Sequence, residues 1–221
     1  MPAASFTALI AQLDAVLPQT QCTRCGYPSC REYAQAMAAN TADINQCPPG
    51  GAEGVKRLAA LTGRAATPLN SVNGLEGPRS IAIIDEDWCI GCTLCLDACP
   101  TDAIVGGNKL MHTVIEHYCT GCELCLPVCP VDCISLENVT GERSGWSAWS
   151  QQQAETAKSR YELHSARPII NKGNSTQSPE DKQLGPATGQ PATSDSSLSA
   201  AQQKRAVIEA AMARAKAARR P

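Results

Sequence analysis

The sequence predicts an α+β protein: a small helical module, a domain built from two copies of one cysteine-rich loop, and a largely disordered tail carrying short helices. Three observations predict it. Residues 89–104 recur at 119–134 with a uniform offset of 30 positions, which carries Cys89, Cys92, Cys95 and Cys99 onto Cys119, Cys122, Cys125 and Cys129. Upstream, Cys22, Cys25, Cys30 and Cys47 are interspersed with stretches of helical period. Beyond Glu137 the chain changes character, and from 171 it is rich in Ser, Thr, Pro, Gly and Gln.

Each copy reads C-x2-C-x2-C-x3-C-P, and Gly91/Gly121, Leu94/Leu124, Pro100/Pro130, Asp102/Asp132 and Ile104/Ile134 keep the same offset. Bacterial ferredoxins hold [4Fe–4S] clusters with this run. Three cysteines two residues apart wrap a tight loop around one face of a cubane. The fourth, beside a proline that stops the loop continuing as one helix, points the other way and serves the opposite half. The expected sets are Cys89, Cys92, Cys95 and Cys129 for one cluster, and Cys119, Cys122, Cys125 and Cys99 for another. A pair of four-cysteine zinc sites is the alternative, but it leaves the third cysteine of each run and the cysteine–proline step without a role.

Composition agrees with small metal-held modules. In 221 residues only 4% are aromatic and there is a single Phe, too little for a large conventional core. Thirteen cysteines with no signal peptide favour a reducing cytosol over a secreted disulfide scaffold. The net charge of −2 is asymmetric: residues 1–138 hold 14 acidic and 7 basic side chains, a charge of −7, and residues 139–221 hold 7 acidic and 12 basic, a charge of +5. An acidic head of this kind steers towards basic partner surfaces.

In chain order, residues 1–63 form the helical module. Phe6, Leu9, Ile10, Leu13, Val16 and Leu17 recur at helical spacing with Gln12 and Asp14 opposite, and Pro18 ends that helix. It is too short and polar to cross a bilayer. Cys22, Cys25, Cys30 and Cys47 give C-x2-C-x4-C-x16-C, with a helix over 31–40 and the turn Pro48–Pro49–Gly50–Gly51 after the last cysteine. By spacing alone these four suit either zinc or an iron–sulfur cluster. Ala52–Leu61 reads as another short helix, stopped by Gly63.

Residues 64–79 read as a linker. The repeat domain, 80–138, opens with the β-branched strand Ser80–Asp85, and Leu110–Glu116 and Ile134–Glu137 supply further strands. Short helices are expected near Leu96 and Leu126. Ile81, Ile83, Ile90, Leu94, Ile104, Ile115, Leu124, Val131 and Ile134 are expected to shield the clusters from water. Cys133, opposite Ala103 in the repeat, is a small buried side chain rather than a ligand. In 139–170, Trp146 and Trp149 form a turn packed on the preceding domain, followed by a helix to about Ala166. Residues 171–203 are a disordered linker, and 204–221 a basic helix.

No Walker loop, dinucleotide fingerprint or nucleophile elbow is present, and His112, His117 and His164 have no ligand spacing, so no catalytic residue is expected. Nucleic acid is not an expected partner in the absence of a folded reader.

The block QTQCTRCGYPSCREYAQA with INQCPPGG, the double ferredoxin unit with CPVDCI, and WSAW followed by RYE together resemble the B subunit of the Rnf (Rsx) electron transport complex, over about residues 9–166. The resemblance implies three [4Fe–4S] clusters, with Cys22, Cys25, Cys30 and Cys47 holding the first. It also implies redox protein partners, either a reductase or subunits of an Rnf-type complex, and relay of electrons in a complex that couples ferredoxin and NAD chemistry to ion movement. Members of the full complex usually begin with a hydrophobic membrane segment, whereas this chain begins MPAASFTALIAQLD. The expectation is a cytoplasmic carrier, with peripheral attachment at the cytoplasmic face of the inner membrane through the N-terminal or basic C-terminal helix as the second reading.

Overall fold

The computed structural model describes residues 3–167, which belong to one compact unit of mixed helix and strand. The 171–203 linker and the 204–221 helix lie outside the described residues. The first helix, α1, spans Ala3–Ala15, and it packs on α2, Cys30–Ala38, and α3, Gly51–Thr62. Ser29 caps α2 by accepting the Glu32 N–H at 3.2 Å, and Gly63 ends α3 in the left-handed conformation. Ile10, Leu13, Leu17, Tyr33, Met37 and Leu58 close the apolar core between them.

One member of α1 departs from its polar pattern. Asp14 is fully buried, not solvated opposite the apolar stripe. Lys158, from the last helix of the unit, pairs with its carboxylate at 2.5 Å, and Gln19 Nε2 donates to its Oδ1 at 2.9 Å. A buried charge is tolerable only when paired and hydrogen-bonded in this way.

The repeat domain contributes β1, Ser80–Ile84, β2, Ile104–Val105, β3, Thr113–Val114, and β4, Ile134–Asn138. β1 pairs antiparallel with β4, from Ser80↔Asn138 to Ile84↔Ile134, and β2 pairs antiparallel with β3. Only Thr113–Val114 of the expected strand 110–116 is strand: the residues before it loop back, Lys109 N–H donating to Gly91 O at 2.9 Å, and Glu116–Tyr118 close into a 3-10 turn. The first cysteine loop continues into α4, Leu94–Ala98. Its counterpart over 124–128 is only turn, because Pro127 stands where the first copy has Asp97 and has no N–H for a helical bond.

Trp146 is buried, but on the N-terminal module and not on the repeat domain that precedes it in sequence. Its Nε1–H donates to Val16 O at 3.1 Å and the Arg57 guanidinium lies 4.3 Å over its ring. The last helix, α5, spans Gln151–Ser165 behind a Ser150/Gln153 capping box. It clamps the turn after Cys99: Arg160 donates to the carbonyls of Thr101 and Asp102, and His164 and Arg167 engage the Asp102 carboxylate.

Candidate metal centres

The two cysteine loops repeat in backbone as well as in sequence. Gly91 and Gly121 have φ of 68° and 65°, Thr93 and Glu123 of 66° and 67°, Asp102 and Asp132 of 48° and 50°. These left-handed residues turn the chain tightly enough to aim successive cysteines inward. The two glycines have no substitute: a Cβ on Gly91 would meet Leu110 N and O at 2.6 Å, and one on Gly121 would collide with Ser80 O.

Two cavities result. One, about 270 Å³ including its mouth, is lined by Cys89, Cys92 and Cys95 from the first copy and Cys129 from the second. The other, about 340 Å³, is lined by Cys119, Cys122 and Cys125 from the second copy and Cys99 from the first. Ala82 lines the second and Ile84 the first, so two residues of β1, about 7 Å of strand, separate their walls.

Backbone amides aim at two of the sulfurs: Ala82 N–H donates to Cys119 Sγ at 3.3 Å and Ala103 N–H to Cys99 Sγ at 3.2 Å. Burial raises the thiol pKa to about 11 at Cys95 and Cys122 and about 12 at Cys125, with the neighbouring cysteines adding to it.

The first cavity carries two polar neighbours that the second lacks in its lining. His112 is fully buried, its Nδ1 3.3 Å from Cys95 Sγ and its Nε2 3.3 Å from Gly107 O. Cys133 is buried as expected, and its Sγ lies 3.5 Å from Cys129 Sγ. Burial, then Cys129 and Cys89, push its thiol up to about 12, so it stays protonated. Sequence spacing gave no signal for His112, which lies between the repeats; the extra cysteine of CPVDC was the signal for Cys133. Ile104 is buried in the wall of the second cavity as the shielding expectation requires. Ile81 is buried but lines neither cavity, since Ala82 and Ile84 supply that face of β1, and Ile90 is 53% and Leu94 46% exposed.

In the N-terminal module Cys22 and Cys25 stand near enough to Cys30 and Cys47 to raise both thiols, after burial itself as the larger cause. The loop that brings them there is built on residues with left-handed backbones: Gln19, Gln21 and Thr23 have φ of 57°, 53° and 58°. A buried chain of bonds holds that conformation. Gln21 Oε1 accepts the Cys30 N–H at 3.0 Å, Gln21 Nε2 donates to Gln19 Oε1 at 2.9 Å, and Gln19 leads to Asp14 and Lys158.

The two donor sets of the repeat domain fit a polynuclear cluster. Thiols set around a cavity, three from one loop and one from the other, suit ligands at the separate corners of a cubane. The groups attached to the wall then control water and charge around the sulfurs.

Comparison with known proteins agrees. A family model described as "4Fe-4S dicluster domain" matches residues 82–136, and one described as "Putative Fe-S cluster" matches 17–49. The ion-translocating oxidoreductase complex B subunit of Azoarcus sp. (strain BH72) is 59% identical over 150 residues, 68% of this chain and 81% of that protein. The protein of the same description from Thiobacillus denitrificans is 60% identical over 107 residues, 48% of this chain and 57% of its own length. That from Shewanella oneidensis is 53% identical over 139 residues, 63% and 71% of the two chains. With the cysteine-lined cavities and an alignment of this identity and extent, the chain belongs to the B-subunit family of the ion-translocating oxidoreductase complex.

Proposed function

We propose that this chain relays single electrons through three [4Fe–4S] clusters within an ion-translocating oxidoreductase complex. The observation that carries the reading is the pair of cavities, each lined by three cysteines of one copy of the repeat and the crossing cysteine of the other, with Cys133 as a fifth thiol in the first. Bound there, a [4Fe–4S] cluster takes up and gives back one electron without making or breaking a bond to a substrate. Cys89, Cys92, Cys95 and Cys129 hold one, Cys119, Cys122, Cys125 and Cys99 a second, in a ferredoxin-like arrangement. Cys22, Cys25, Cys30 and Cys47 hold the third.

The residues around these sets order the relay. Thr120, between Cys119 and Gly121, donates to Thr20 O at 3.0 Å, and Arg24, beside Cys25, pairs with Glu123, beside Cys122. The N-terminal set therefore adjoins the Cys119 set, and the Cys89 set lies at the far end of β1. Ala82, Ile84, Ala103, Ile104 and Ile134 keep water from the thiolates, while the amides of Ala82 and Ala103 and the ring of His112 donate to sulfur. A deprotonated Cys95 can only accept, so His112 Nδ1 then carries its hydrogen.

Among the described residues no helix is long and apolar enough to cross a membrane. We assign the chain a peripheral place at the cytoplasmic face, held by other members of the complex. The test is iron, acid-labile sulfide and zinc per chain on anaerobically purified protein. About twelve irons and twelve sulfides without zinc, with EPR signals on reduction, are expected. About eight irons and one zinc would instead make residues 22–47 a structural cap.

A further inference from the structure

The two halves of the repeat are alike inside and unlike outside. Around the Cys89 cavity, Trp88 is 60%, Ile90 53%, Leu94 46%, Leu110 66% and Met111 60% exposed. The positions 30 residues on from the first three are Tyr118, Thr120 and Leu124, and all are half-buried or buried. Tyr118 lies under the Arg160 guanidinium at 3.5 Å, and Thr120 is bonded to the N-terminal module. At these positions the Cys119 cavity is covered by the N-terminal module and α5, leaving Leu136 of its lining 37% exposed, whereas its twin keeps a broader apolar rim in water.

That rim is continuous with the wall of the Cys89 cavity. Trp88 adjoins Cys89 and its Nε1–H donates to Val131 O at 3.1 Å; Val131 and Ile90 line the cavity themselves. Leu94 adjoins Cys95, Met111 adjoins His112, and the Leu110 backbone presses on Gly91. Exposed Asp85, Glu86 and Asp87 run up to Trp88, and exposed Asp97 stands one turn along α4 from Leu94; Lys109 is the basic side chain within the face. An apolar centre with an acidic border is a surface for a partner.

We propose that this face docks a redox protein whose own contact surface has an apolar centre ringed by Lys and Arg, and that electrons enter or leave the chain there, through the Cys89, Cys92, Cys95 and Cys129 site. The proposal rests on the relay reading above. Charge complementarity selects the basic partner and sets the encounter rate, and the apolar centre brings the two redox groups close.

The test uses the full, cluster-loaded chain, reduced with dithionite, and ferric cytochrome c as a basic one-electron acceptor. One electron leaves the chain and the haem iron goes from ferric to ferrous, followed by stopped flow. In the wild type the second-order rate falls at least about tenfold as ionic strength rises from low to high. Glu86→Lys with Asp87→Lys slows the low-salt reaction about tenfold and flattens the salt dependence, and Leu110→Ser with Met111→Ser slows it at high salt too. Glu142→Lys, beyond the far end of β4, stays within about twofold of wild type. Equal effects at both acidic sites, or none at either, in variants with wild-type EPR signals overturn the docking face alone. A faster reaction on charge reversal would mean that basic residues 204–220 or a second copy cover the face, and overturns it as well. A chain with no iron–sulfur signal overturns both the relay and the face.

Discussion

The Arg24 guanidinium meets the Glu123 carboxylate at 2.5 Å, joining the loop of Cys22 and Cys25 to the loop of Cys122 and Cys125. Burial alone would lower the Arg24 pKa; the bond to Glu123 and the nearby Cys22 and Cys122 more than offset that, so the side chain stays cationic between two thiol sets. A cation there favours the extra negative charge that reduction brings. Arg24→Gln is therefore expected to make both neighbouring centres harder to reduce, by roughly tens of millivolts, and Glu123→Gln to make them easier. Both residues are about one-third exposed or more, so the shifts should shrink as salt is raised. An EPR-monitored redox titration of the two variants at low and high salt measures it, and shifts of the same sign in both would refute the account.

His112 acts on one centre only. Its Nδ1 lies 3.3 Å from Cys95 Sγ, and a bond to a ligand sulfur strengthens as electron density on that sulfur grows. His112→Phe keeps a planar ring in the buried space and removes the donor. The potential of the Cys89-side centre is expected to fall by about 60 mV, the equivalent of one charge-assisted hydrogen bond for a one-electron couple. The other centres should hold their wild-type potentials in the same titration.

These two residues also mark what sequence reading reaches. The cysteine sets are legible because a ligand loop is local: the spacing of three thiols and a proline encodes the turn by itself. The helices are legible for the same reason, through the period of Tyr33, Ala34 and Met37 in α2, for example. Asp14 escapes such a reading because its partner, Lys158, stands 144 residues away, and no periodic pattern records such a pairing. The expected strand at 110–116 fails because Leu110 closes against Gly91 and His112 turns to Cys95, both tertiary events. The repeat itself misleads at Leu126, where one proline cancels the helix that its twin forms.

Removing the metal should expose a pH dependence. In the folded chain burial raises the thiols of Cys95 and Cys122 to about 11 and those of Cys125 and Cys133 to about 12, against about 8.5 in an unfolded chain. The folded state thus holds protons that the unfolded state gives up. That stabilisation is complete below about pH 8.5 and is lost progressively as pH rises towards 11 to 12. Chelator-stripped protein is expected to show a markedly lower urea midpoint at pH 10 than at pH 7. The loaded protein, whose ligand thiols have already lost their protons, should change far less. Equal pH dependence in the two forms would count against these buried thiols as its source.

Cys133 gives the two repeat-crossing cysteines unequal consequences. Cys129 and Cys99 occupy equivalent positions and each lines the cavity of the other half. Four residues after Cys129 stands a second thiol, 3.5 Å from the first and facing the same cavity; four residues after Cys99 stands Ala103. Cys99→Ala therefore leaves its site with three thiols and no replacement, and the Cys119-side centre is expected to be lost, with iron falling by about four per chain. Cys129→Ala is expected to keep most of its iron, because Cys133 can swing into the freed space, give up its proton and complete the set. The substitute ligand has a different reach and loses its own hydrogen bond, so the retained centre should have a shifted potential and an altered EPR line shape. Cys129→Ala with Cys133→Ala should then lose the centre as Cys99→Ala does, while Cys133→Ala alone should load fully. Iron and sulfide analysis with EPR on the four variants decides it. Loss of the Cys119-side centre in Cys129→Ala would overturn the crossed assignment of the cysteines, and full loss of the Cys89-side centre would overturn the substitution by Cys133.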